Sequence, residues 1–223
     1  MFNRSAQRVA NSGVSAPSPS AVRESVLASF ASQGLAVPAR PAALDVLLCG
    51  DATDADDAAA RTIADLVFTV GGHDREAALL RAGAFVTREK ALRLSQLLPV
   101  SRGTVGTAAL LHRAGEACAL RALVLAESGV ALRLDAPARA ELCARHQGEY
   151  TEQLIREWAL PAQVAEVLRS WRQFRPTVSL AAAVVYYAHL LASEQLHPEF
   201  FVPGLLRSVA VELGIDPAQV ASI

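Results

Sequence analysis

Apolar residues in this chain recur with the period of a helix and almost nowhere with the alternation of a strand. Ala59, Ile63, Leu66, Val67 and Val70 fall at i, i+4, i+7, i+8 and i+11 and form one apolar stripe. Asp54, Asp56 and Asp57 stand at its start, where a solvated helix N-terminus suits negative charge, and Gly71-Gly72 close it. Val164, Val167, Leu168 and Trp171 repeat the pattern after Pro161, as do Leu205, Leu206, Val209 and Leu213 before Gly214. Asp216-Pro217 supplies a cap and a preset φ for one more short helix. Further helices are predicted over 21–32, 41–48, 74–84, 87–98, 104–127, 136–145, 151–158 and 179–192. The expected fold is all-α, without an internal repeat of fixed period.

Composition narrows the function classes. Of 223 residues, 52% are hydrophobic and 19% charged, enough apolar surface to offset the entropy of ordering a core. Lys and Arg total 21 against 22 Asp and Glu, a net charge of −1, so no basic excess draws the chain to nucleic acid or to an anionic membrane. Cys49, Cys118 and Cys143 are odd in number and lack C-x-x-C spacing, which excludes a disulfide framework or cysteine zinc site. They are expected as small core residues in a reducing, cytoplasmic setting. Residues 1–20 contain no acid and several serines; a disordered tail fits them better than a transit peptide. The uncharged stretch from Pro176 to Ser193 is alanine-rich and carries Tyr186, Tyr187 and His189, which favours a buried helix over a membrane span.

Reactive constellations are scarce. No G-x-x-x-x-G-K-[ST], G-x-G-x-x-G or G-x-S-x-G occurs, which excludes the familiar phosphate loops and the nucleophile elbow. The acidic run from Asp51 to Asp57 lacks the turn glycine and terminal acid of a calcium loop, Thr62 standing at the twelfth place. Among His73, His112, His146, His189 and His197 there is no H-E-x-x-H. His112 stands out because it ends the apolar run Ala108-Ala109-Leu110-Leu111 and precedes Arg113. Arg169, Arg172 and Arg175 beside Trp171 and Phe174 read as helix-terminal cations around a core tryptophan rather than as a stacking surface for single strands.

Several fragments together resemble the HDOD family, the HD-related output domains of bacterial signalling proteins. Val37-Pro38-Ala39-Arg40-Pro41 with Leu44, Leu47 and Leu48 is similar to its L-P-x-L-P opening and first helix. The stretch 51–66 resembles its acidic turn and second helix, and 74–83 its D-P-x-L-x-x-x-L-L-R-x-A-N helix without the asparagine. Ala109 to Glu116 resembles G-L-L-H-D-I-G-K. Leu154-Ile155-Arg156-Glu157-Trp158-Ala159-Leu160-Pro161 with Val164 and Val167 resembles L-L-x-x-W-x-L-P-x-x-[LIV], and 183–191 the last helix of the HD core. The resemblance runs in order over residues 35–223, with an abbreviated middle. It implies an HD-like helical bundle of two packed subdomains, an N-terminal one at 21–98 and an HD-like one at 99–223.

Catalytic HD proteins hold a divalent metal through histidines and aspartates for phosphoester or phosphoanhydride hydrolysis. Here the His-Asp doublet becomes His112-Arg113, His189 stands at the distant aspartate's place, and Trp171-Arg172 occupies the usual His-His position. Losing two hard oxygen donors and gaining a guanidinium opposes cation binding. The resemblance therefore implies a non-catalytic regulatory module with a degenerate pocket at His112, Arg113, Trp171, Arg172 and His189, no cofactor, and a protein partner. Two alternatives stay open: a surviving phosphohydrolase using His112, His146 and His189, and an anion or nucleotide sensor in which Arg113 and Arg172 hold a phosphate.

Overall fold

The computed structural model describes residues 18–32, 37–49, 54–71, 74–200, 202 and 204–220. Every regular element among them is helical: α1 (Pro19–Ser32), α2 (Ala43–Cys49), α3 (Asp54–Phe68), α4 (Asp74–Leu94), α5 (Arg102–Leu111), α6 (Ala114–Val130), α7 (Ala136–Glu157), α8 (Ala162–Ser170), α9 (Leu180–Leu196), a 3₁₀ turn (Pro198–Phe200), α10 (Leu205–Glu212) and α11 (Pro217–Val220). The expected all-α fold is what the chain forms. Most of the expected tail, together with Asp51, Gly72 and His73, lies outside the described residues.

The ends of the helices follow from local chemistry. Ser101, Asp135 and Ser179 each accept a backbone N–H of the first turn, from Thr104, Ala138 and Ala182. Asp216 does the same for the amide of Ala218. Three helices close on a left-handed residue that lets the following amide reach back: Leu132 to the Glu127 carbonyl, Leu160 to Ile155 and Ile215 to Ala210. Only the last of these corners has a glycine, Gly214 (φ 70°); the others place Ala131 (φ 53°) and Ala159 (φ 46°) there.

Three helix boundaries differ from expectation. The predicted helices at 74–84 and 87–98 merge into one helix, α4, which ends four residues early at Leu94; Phe85-Val86 contains no breaker, and Gly83, the weakest helix former nearby, is tolerated where no neighbour is close. The predicted pair at 136–145 and 151–158 is likewise continuous in α7, through Gly148. Conversely, the expected helix at 104–127 divides into α5 and α6 at His112-Arg113, where Arg113 leaves helical geometry (φ −112°, ψ 13°).

A single hydrophobic cluster runs from Val26 on α1 to Ile215, through helices on both sides of residue 98. α4 packs chiefly on α9 and α5, α6 on α7 and α1, and α2 on α3. Trp158 is fully buried; its indole N–H donates to the Pro38 carbonyl at 2.7 Å and its own carbonyl accepts from Arg40 Nε at 2.9 Å. These bonds dock the extended Val37–Pro41 segment on the end of α7. Arg121 of α6 donates to the Leu66, Val67 and Thr69 carbonyls, satisfying acceptors left open at the end of α3.

The acidic start of α3 is not simply solvated, as its position suggested. Asp56 is buried and accepts from Arg88 Nη2 at 2.9 Å, while the exposed Asp57 accepts from Arg88 Nη1 at 3.0 Å. The equally buried Arg88 arrives from α4, so the pair ties the two helices together. Cys118 and Cys143 lie in the core as expected, whereas Cys49 is exposed at the last residue of α2. No helix among the described residues is long and apolar enough to cross a membrane.

Candidate functional site

The break between α5 and α6 is the starting point of the site. His112 ends α5, and its Nδ1 lies 2.7 Å from the carbonyl of Ala109, an acceptor. Nδ1 therefore carries the proton. In a neutral ring Nε2 then has only a lone pair, and it lies 3.1 Å from Nδ1 of His189 on α9. His189 must donate: Ala109 O, His112 and His189 form one directed chain of hydrogen bonds.

Trp171, the residue that ends α8, closes the group. Its ring stands edge-on to His112 (centroids 4.8 Å apart, 84° between planes) and to His189 (5.1 Å, 72°), and the two imidazoles are 5.0 Å apart. Apolar walls and cations both favour neutral rings. Burial, then the charge His189 would carry, hold His112 well below the usual histidine range. His189 is pushed down to about 4 by burial and by the Arg113 and Arg172 guanidiniums, with Glu116 acting weakly the other way.

The two arginines are already occupied. Arg113 grips Glu116 with both arms of its fork, Nε to Oε2 at 2.9 Å and Nη2 to Oε1 at 2.8 Å. Arg172 lies over the Trp171 ring, 4.9 Å from its centroid, and donates to Gln147 Oε1 of α7. The close approach of α6 to α7 beside this site depends on Gly115, where a Cβ would sit 2.2 Å from both the Gln147 carbonyl and Thr151 Oγ1.

All five residues of the expected degenerate pocket, His112, Arg113, Trp171, Arg172 and His189, are brought together. His146 is engaged elsewhere: its ring packs 5.1 Å from that of Phe30 and Nδ1 is 3.1 Å from Glu149 Oε2. His197 ends α9, its Nδ1 3.8 Å from Glu199. Arg169 is held by Glu152 in a two-armed ion pair, and Phe174 packs on Tyr186 at 5.3 Å, so the arginine series does not present stacked rings to solvent. Among the described residues no three His, Cys, Asp or Glu side chains gather as ligands. The donor set at His112 does not fit the divalent metal of catalytic HD proteins: Nε2 already accepts a hydrogen bond from His189, and the Glu116 carboxylate is spent on Arg113.

His189, Arg113 and Glu116 also line a cavity of about 410 Å³ between α4, α6, α7 and α9. Sequence reasoning missed this cavity and its residues Thr87 and Arg139. It exists only once α4, α6, α7 and α9, spread over residues 74–196, are packed together, and no spacing along the chain announces it. Searches against protein-family models, curated proteins and solved structures find no match to this chain.

Proposed function

We propose that the chain is a non-catalytic regulatory module of the HDOD kind, acting in bacterial cytoplasmic signalling through contact with a protein partner. One observation carries the non-catalytic part: both ring nitrogens of His112 are committed inside the protein, Nδ1 to the Ala109 carbonyl and Nε2 to His189. A hydrolytic centre needs that lone pair aimed at a metal or a reacting water. The resemblance of the segments around Pro38 and Trp158 to the family's most distinctive stretches supports the rest of the reading, and these two segments lie against each other. The phosphate-sensor alternative needs Arg113 available, and Glu116 holds it.

The test uses tag-free full-length protein, measured by elemental analysis and by phosphodiester turnover with added Mn²⁺ or Zn²⁺. No stoichiometric metal and no turnover above buffer are expected. Turnover that disappears in His112→Ala would overturn the reading. Partner capture at endogenous expression, repeated with a variant altered on the exposed surface, addresses the contact itself.

A further inference from the structure

We infer that the cavity between α4, α6, α7 and α9 is a binding site for a small neutral molecule with an apolar body and one or two hydrogen-bonding groups. This inference stands apart from the regulatory reading. At about 410 Å³ the cavity lies within the roughly 300–1,000 Å³ range of ligand pockets, and Leu80, Leu120, Cys143 and Ala192 give it a mainly apolar wall. Leu79 and Leu196 line it too and are 52% and 38% exposed, beside the exposed Glu76 and His197, so the cavity opens to solvent.

Two polar atoms in its wall lack partners but are sealed from it. Thr87 is fully buried, lines the cavity, and its Oγ1 makes no hydrogen bond. Arg139 Nε is likewise buried without a partner. His189, whose Nδ1 proton goes to His112, keeps a bare Nε2 lone pair at the same cavity.

The charges specify the kind of guest. Both arginines in the wall face carboxylates: Arg113 is paired with Glu116 at 2.8 Å and Arg139 with Glu76 at 2.9 Å. A carboxylate or phosphate entering here would lose hydration and meet no uncompensated cation. A neutral alcohol or amide loses little and can donate to the His189 lone pair. The nucleotide phosphates suggested by the family resemblance are therefore the wrong chemistry for this cavity.

Isothermal titration calorimetry of the full chain with 1-octanol, octanoate and adenosine monophosphate tests this. One saturable octanol site per chain is expected, with octanoate at least tenfold weaker and no measurable nucleotide heat. Ala140 lies exposed at the rim, so Ala140→Trp should block the mouth and abolish octanol binding without lowering the melting temperature. His189→Leu removes that acceptor and should weaken octanol roughly five- to tenfold. The inference is overturned by no saturable octanol heat, by equal octanol affinity in wild type and both variants, or by nucleotide binding tighter than octanol.

Discussion

His189 donates from Nδ1 to Nε2 of His112 across 3.1 Å, joining α9 to the end of α5 and placing two neutral imidazoles where a cation-binding centre would need free lone pairs and acids. Burial and the nearby Arg113 and Arg172 guanidiniums hold both rings neutral.

That condition sets a pH dependence. His189 has its folded pKa lowered to about 4 from an ordinary 6.5, and His112 is lowered as well, so below about pH 6.5 the unfolded chain takes up protons that the folded chain refuses. Stability is unaffected above that value and falls as pH drops from 6.5 toward 4. His189 alone should cost on the order of 2 kcal/mol between pH 7 and pH 5. Urea unfolding across this range should show the loss, and His189→Leu should remove a large part of its slope. An identical slope in wild type and variant would contradict the assigned cause.

Arg88 and Asp56 form a buried pair between α4 and α3. Asp56→Ala strands a guanidinium whose remaining partner, Asp57, is exposed, and should cost about 3–5 kcal/mol. Replacing both residues with leucine removes two desolvation penalties together and should cost less than that single change. A double-mutant cycle in urea reads the difference.

Glycine substitutions should separate sharply. Gly115→Ala drives a Cβ into the backbone carbonyl of Gln147 and should destabilise by about 3 kcal/mol or more. Gly148→Ala, also helical but with open space around it, should stabilise by about 0.5–1 kcal/mol. Thermal melts of the two variants should move in opposite directions.

The helix corners at Ala131 and Ala159 offer a gain. Both adopt a positive φ that glycine enters freely. Ala131→Gly and Ala159→Gly should each raise stability by about 0.5–1 kcal/mol, smaller than the left-handed strain of about 1–2 kcal/mol because glycine also loosens the unfolded chain. Chemical denaturation with unchanged m-values checks both.

The helices were legible because an apolar stripe with a 3.6-residue period has few other solutions. The Ile63–Val67 stripe, the Val164–Leu168 stripe and the Asp216 cap all appear where spacing puts them. The division at His112-Arg113 was not legible. Neither residue breaks a helix by propensity; an imidazole bonding back to Ala109 and packing against Trp171 and His189 marks the turn, and those partners come from α8 and α9. The same holds for Asp56: its burial depends on an arginine on the next helix, so an acidic helix start read in isolation looked solvated. His112, Arg113, Trp171, Arg172 and His189 were singled out from the sequence and do converge. Thr87, Glu116 and Arg139 were not, because a hydroxyl without a partner and a carboxylate spent on a neighbour exist only once the helices are assembled.

α4 finds its main packing partner in α9, which begins only at Leu180. During synthesis at roughly 5–20 residues per second, α4 emerges from the ribosome several seconds before the surface meant to cover it. Over that interval Leu80, Ala84, Ala91 and Leu94 stay unsheltered unless a chaperone or the arriving α5 screens them. Slow translation beyond residue 130 would lengthen the exposure, so soluble yield should respond to codon choice after residue 130 more than to codon choice before it.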